Sequence, residues 1–280
     1  ERIEKNIFRG ESRDIGGAQV FGGQVLGQAL SAAQHTVDDR VVHSLHAYFL
    51  RRGDMDAPIV YEVDRARDGG SFSSRRVVAI QHGRPILNLA ASFQEPEEGL
   101  EHQATMPDVP AADDCEDILS AEAERFKDMP EKMRRHLADK RAFEIRPVPK
   151  EKSSKSVVKH VWLKSVDKLP ANPALHRNLL AYASDYELLG AATIPHDMPY
   201  EKGGVIMASL DHALWFHREV RIDDWLLYSL DSPNASGARG FARGQFFNRA
   251  GELIASTAQE GLMRVIDNPS RKRSDPKLQN

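Results

Sequence analysis

The chain has 280 residues, room for two domains of ordinary size or one large one, and its 41% hydrophobic and 28% charged residues are the balance of a folded globular protein. Its 38 basic and 41 acidic side chains leave a formal charge of −3, which removes the electrostatic case for nucleic acid or an anionic membrane as the main partner. No apolar run approaches the roughly 18 residues of a bilayer span, and the single cysteine, Cys115, excludes both a disulfide framework and zinc sites built on paired cysteines.

In chain order, the first ten residues are charged, lack the apolar centre of a signal peptide and end in a short strand over 7–10. Residues 23–34 predict a helix in which Val25, Leu26, Ala29, Leu30, Ala32 and Ala33 cover most of the circumference, so it is expected to be buried on nearly every side. Strand-like runs follow at 41–50, 59–66, 72–81 and 85–93, separated by turns such as Asp68-Gly69-Gly70 and His82-Gly83. Residues 95–115 are acidic and hold Pro96, Pro107 and Pro110, the composition of a linker. Around Cys115 the charges of Asp113, Asp114, Glu116 and Asp117 disfavour a thiolate, so it reads as an inert surface-loop thiol in a chain suited to the reducing cytoplasm.

A polar helix is expected over 117–140, then strands over 143–148 and 157–163. A second apolar helix over 173–192 carries Leu179, Tyr182, Tyr186 and Leu189 at helical spacing, and strands follow at 205–217, 225–231, 237–247 and 252–265. The tail holds Arg271-Lys272-Arg273, reads as mobile, and ends in Lys277-Leu278-Gln279-Asn280 rather than the peroxisomal Ser-Lys-Leu. The organisation is thus an N-terminal unit 1–96, a linker with a helix 97–141, a C-terminal unit 142–266 and a flexible tail 267–280.

The two units read as a duplication. His46-Ala47 recurs as His212-Ala213 and Arg52 as Arg218, both 166 residues on; Tyr61-Glu62-Val63-Asp64 matches Tyr228-Ser229-Leu230-Asp231 at 167; and Gly83 before Pro85-Ile86 matches Gly251 before Leu253-Ile254 at 168. One helix followed by an antiparallel run of strands, twice, describes an α+β fold of two antiparallel sheets, each wrapped around a central helix. Such a sheet leaves edges and an outer face to cover, which implies a homo-oligomer, a dimer or tetramer.

The nucleophile elbow, the P-loop, the Rossmann glycines and His-Glu-x-x-His are all absent, so the sequence offers no cofactor or metal site. His43 and His46, three apart on a strand, face opposite sides and read as interface or core residues rather than metal ligands. Arg75 and Arg239 begin strands after Ser-rich turns, where they are either solvated edges or contacts for phosphates. Asp185 interrupts an apolar run, which costs several kcal/mol without partners, and spacing alone leaves open whether it caps a helix or does chemistry. Ser209 and Gln259 are bland on their own. At a spacing of 166 Ser209 aligns with His43, which makes His43 a secondary candidate.

The sequence resembles the acyl-CoA thioesterase II family, of the double hotdog fold, over nearly its whole length. The resemblance is carried by Ile7-Phe8-Arg9-Gly10, Val20-Phe21-Gly22-Gly23-Gln24, the run His43 through Arg51, Ala90-Ala91-Ser92-Phe93-Gln94, Trp215-Phe216-His217-Arg218, Ala238-Arg239-Gly240-Phe241 and the run Ala255 through Arg264. It implies hydrolysis of acyl-CoA to free CoA and a carboxylic acid, within fatty acid metabolism, by an Asp, a Thr or Ser, and a Gln. The Asp of a Tyr-x-Ser-Asp stretch falls on Asp185, the hydroxyl before Leu210-Asp211-His212 on Ser209, and the Gln of a Ser-Thr-x-Gln-Glu-Gly stretch on Gln259. Serine in place of the common threonine keeps the oxygen and loses the β-branch that stiffens its rotamer. The family logic has Asp185 polarise a water that Ser209 and Gln259 position; separately, and by position only, the backbone N–H groups of Gly22-Gly23 at the start of the first helix offer a site for the oxyanion. Two alternatives stand beside it: an R-specific enoyl-CoA hydratase, which pairs its Asp with a His five residues later where this chain has Gly190, and a non-catalytic acyl-CoA-binding module.

Overall fold

The computed structural model describes residues 1–13, 19–121, 141–149, 157–196 and 204–265. Most of the expected 117–140 helix and the tail from 267 lie outside these residues. The N-terminal half runs β1 (Arg2–Glu4), β2 (Ile7–Gly10), α1 (Gly22–Gln34), β3 (Val41–Phe49), β4 (Ile59–Asp68), β5 (Phe72–Gln81) and β6 (Arg84–Gln94). After a 3-10 turn at Ala112–Asp114 and α2 (Ile118–Ala121) come β7 (Phe143–Pro147), β8 (Lys159–Ser165), α3 (Pro173–Ala183) and a 3-10 segment Leu189–His196. The chain then forms β9 (Val205–Ser209), β10 (Asp211–Phe216), β11 (Leu226–Ser236), β12 (Arg239–Asn248) and β13 (Leu253–Val265).

The strands form one antiparallel sheet in the order β1-β2-β4-β5-β6-β3-β10-β13-β12-β11-β8-β7, with β9 also pairing β13. The order β2-β4-β5-β6-β3 of the first half recurs as β8-β11-β12-β13-β10, and β3 and β10 join the two halves edge to edge. This is the double hotdog, an α+β fold whose two wrapped sheets are continuous. Alternation explains the curvature. On β5 the residues at 73, 75, 77, 79 and 81 are buried and face the helices while the intervening ones face out.

At the seam Ala47 lies opposite His212 and Leu45 opposite Leu214, all four buried, while His46 faces out opposite Ala213. The 166-residue spacing therefore sets a solvent-facing His46 against a core His212. Matching buried face to buried face takes 167, the spacing of the two buried tyrosines Tyr61 and Tyr228. The same shift aligns two irregularities: the β3 register slips at His43, and β9 gives way to β10 at Leu210. His43 thus corresponds to Leu210, not to Ser209, and a one-residue slip is enough to move a side chain to the other face.

The helices α1 and α3 pack against each other inside the curve, with α1 also on β3 to β6 and the 3-10 segment on β11, β12 and β13. Glycine permits this closeness. A Cβ on Gly23 would stand 2.2 Å from the Tyr182 carbonyl oxygen, and one on Gly27 2.8 Å from that of Asn178. The linker is packed rather than loose: Met106, Val109, Ala112 and Cys115 lie on Trp162, Trp225, Leu227, Phe247 and Leu253, on the outer face of the second half, and Trp162 Nε1 donates to the Pro110 carbonyl at 2.9 Å. Cys115 is accordingly buried rather than a surface thiol, and burial, with Asp114 beside it, pushes its pKa up.

Candidate active site

The expected helix over 173–192 is broken, and the break makes the site. Asn172 caps α3, its Oδ1 accepting from the Ala174 and Leu175 N–H groups. The helix stops at Ala183, Ser184 Oγ turns back to donate to the Ala181 carbonyl at 2.9 Å, and Glu187 takes a positive φ of 63° with its carboxylate on Lys159 Nζ at 2.6 Å. Asp185 projects from this turn toward the N-terminus of α1.

Phe21, at the N-cap of α1, offers no side-chain acceptor. Asp185 stands there instead, with a Cβ built on Gly22 2.8 Å from its Oδ2, so a carboxylate from the second half faces the N-terminus of a helix of the first, and the Gly23 N–H beside it favours its charged form. Its Oδ1 accepts from Gln259 Nε2 at 2.8 Å. With its side chain only 6% exposed, beside the rings of Tyr182 and Tyr186, the Asp185 carboxyl is pushed above its ordinary value by burial, only partly offset by Gln259 and Gly23.

Gln259 is fully buried on β13, and among the described residues its Oε1 has no hydrogen-bond partner. Its Nε2 also meets His212 Nδ1 at 3.1 Å, and His212 Nε2 lies 2.8 Å from Ser184 Oγ. His212 Nδ1 stands 3.9 Å from Asp185 Oδ1, too far for a hydrogen bond, and burial pulls its pKa down to about 3, so it is neutral. Beneath them Tyr228 Oη donates to the Ser184 carbonyl at 2.8 Å and meets Thr257 Oγ1 at 2.9 Å. His212, Ser184, Tyr228 and Thr257 were not singled out as site residues from the sequence. The available signal was two polar residues, Thr257 and Gln259, at alternate positions of a core-facing strand.

Ser209 is opposite Gly261 on β9, so it shares the inner face with Gln259 one pleat further along. Among the described residues no hydrogen bond joins its hydroxyl to Asp185 or Gln259. The structure brings Asp185 and Gln259 together and leaves Ser209 as a half-exposed neighbour. His43 is elsewhere, bonded through Nε2 to Ser92 Oγ at 2.8 Å and edge-on to Phe72, while His46 is edge-on to Trp215. Arg75 is not a phosphate ligand: its side chain is 2% exposed, and its five N–H donors go to Thr36 Oγ1 and O, the Arg67 and Ser74 carbonyls and Asp68. Arg239 pairs with Glu260 at 2.9 Å. Among the described residues no group of His, Cys, Asp and Glu is placed to hold a metal ion.

A carboxylate held by an amide in an apolar wall, beside an unpaired amide oxygen, is equipped to hold and deprotonate water. Comparison with known proteins shows what the chain is similar to. Residues 133–262 match a family model described as acyl-CoA thioesterase, and residues 10–94 one described as acyl-CoA thioesterase N-terminal domain. The chain is 43% identical over 272 residues to acyl-CoA thioesterase 2 of Haemophilus influenzae, covering 95% of each, and 38% identical over 278 residues to human acyl-coenzyme A thioesterase 8, covering 95% of this chain and 86% of that one. An acyl-CoA thioesterase II, TesB2, from Mycobacterium marinum superposes with a TM-score of 0.79 at 42% identity, covering 95% of this chain and 96% of the other. A hotdog-fold protein from Alicyclobacillus acidocaldarius, 19% identical, superposes over 95% of this chain and 96% of its own with a TM-score of 0.76 and bears on the fold alone.

Proposed function

The chain belongs to the acyl-CoA thioesterase II family and is an acyl-CoA thioesterase, a hydrolase, and from that premise we propose that Asp185 is its general base. In this reading Asp185 accepts a proton from a water as the water oxygen attacks the thioester carbonyl, whose π electrons move to oxygen. The tetrahedral intermediate then collapses with loss of CoA thiolate. A thiol with a pKa of about 8.5 leaves without a strong general acid. No acyl-enzyme forms. The observation that carries the reading is the Asp185–Gln259 pair with Gln259 Oε1 unpaired in a buried wall. Ser209, further along the same face, acts on the open side of the water or on the substrate. The test is free-thiol release from a panel of acyl-CoAs by the wild-type protein, with mass spectrometry of the protein during turnover. Hydrolysis without an adduct supports the reading, and an acylated Ser209 refutes it.

The reading extends to cytoplasmic fatty acid metabolism, to self-association as a dimer or tetramer, and to two units bounded at 1–96 and 142–266. Among the described residues no helix is long and apolar enough to cross a membrane. Sedimentation at micromolar concentration tests the assembly, and a monomer there contradicts it.

A further inference from the structure

We propose that His212, backed by Ser184, is a positioning residue for this hydrolysis: it fixes the rotation of the Gln259 carboxamide so that the amide oxygen faces the attacking water. The inference rests on Asp185 being the base that activates that water.

The argument follows the protons. The Ser184 hydroxyl has one, which we assign to the Ala181 carbonyl, 2.9 Å away and an acceptor only. What Ser184 Oγ presents to His212 Nε2 at 2.8 Å is therefore a lone pair, so Nε2 carries the imidazole proton and Nδ1 is bare. A bare Nδ1, 3.1 Å from the Gln259 amide, accepts an N–H. The second amide N–H reaches Asp185 Oδ1 at 2.8 Å. Both donors of Gln259 are then used on groups that are acceptors only. A rotated amide would set its oxygen against a carboxylate oxygen and a nitrogen lone pair at once, leaving two buried acceptors facing a third.

The consequence is the place of Gln259 Oε1. It is buried and without a partner among the described residues, while the amide that bears it touches the catalytic carboxylate. A water that gives one O–H to Asp185 and the other to this oxygen has both protons held by acceptors. Its lone pairs are left to face the thioester. The imidazole itself is no base: one nitrogen is on Ser184, the other on the amide, and its side chain is fully buried.

A double-mutant cycle with His212→Phe and Gln259→Ala tests this. If His212 acts only through Gln259, His212→Phe lowers kcat about 10- to 100-fold with KM little changed, and adds no further loss to Gln259→Ala. A role confined to packing would shift the melting temperature and lower activity equally in both backgrounds, which overturns the inference; so does a folded His212→Phe with wild-type kcat. Should His212→Phe fail to fold, nitrogen-15 NMR of the wild-type imidazoles decides. The Nε2–H tautomer at His212, retained down to pH 5, is expected, whereas Nδ1–H or an imidazolium overturns the assignment. Asp185→Asn separates the two levels: near wild-type turnover there removes the water-activation reading itself, while a dead Asp185→Asn beside a fully active His212→Phe removes only the role of His212.

Discussion

A carboxyl group raised by burial must lose its proton before it can take one from water, and this sets the acid side of the activity. The ordinary carboxyl value for Asp185 is 3.8, and burial moves it up, so kcat/KM is expected to fall as the pH drops through a value above 3.8. An acid limb at or below 3.8 in the pH–rate profile would contradict the assignment. His212 moves the other way, from 6.5 to about 3, so between those values the unfolded chain binds the proton and the folded one does not. Its contribution to stability is complete above pH 6.5 and is lost as the pH falls toward 3. The melting temperature of His212→Phe is therefore expected to decline less between pH 6.5 and 4 than that of the wild type, and an equal decline argues against a neutral buried histidine. At this scale the sequence exposed the oddity of Asp185 in an apolar run, and the family resemblance added Gln259. It did not expose the network, because the hydrogen bonds joining Ser184, His212, Tyr228 and Thr257 link residues that lie 28 to 47 positions apart or turn on a side-chain rotation.

The elements that place these residues depend on the closeness of α1 and α3. A methyl group on Gly27 meets the Asn178 carbonyl oxygen at 2.8 Å and the Tyr182 Cβ at 3.4 Å, so the helices must separate. Gly27→Ala is expected to lose about 1–3 kcal/mol despite the helix propensity alanine adds. It should also weaken turnover, since α1 carries the Gly23 N–H on Asp185. Gly190, where a Cβ meets nothing within 4 Å, serves as the control: Gly190→Ala should stay within about 0.5 kcal/mol by thermal or denaturant melting. If the two variants unfold alike, the close helix contact is not what the packing rests on. Most strands were legible from alternation bounded by Gly, Pro and Asp turns. The end of α3 was not, since no glycine or proline punctuates 183–188, and tertiary bonds from Tyr228 to the Ser184 carbonyl and from Lys159 to Glu187 help fix that turn instead.

Across the whole molecule, the β3–β10 seam and the α1–α3 contact place residues of both halves in one buried cluster, from Phe8 and Leu26 to Leu180 and Phe246. The protein is expected to unfold in a single calorimetric transition, and two resolved transitions would show halves that stand apart. The duplication was readable in the tyrosine pair, whereas the histidine pair misled by one residue, because identity of type says nothing about which face of a strand a side chain takes. In the proposed mechanism the seam makes the site draw on both halves: Asp185 and Gln259 come from the second, the Gly23 N–H beside Asp185 from the first. Everything here turns on Asp185 as the base, and the most direct test is free-thiol release by Asp185→Asn at saturating acyl-CoA, with acyl-CoA affinity measured on the same preparation. Turnover is expected to drop by about 10²- to 10⁴-fold with binding retained. Turnover within a few-fold of wild type, with binding intact, would contradict the account.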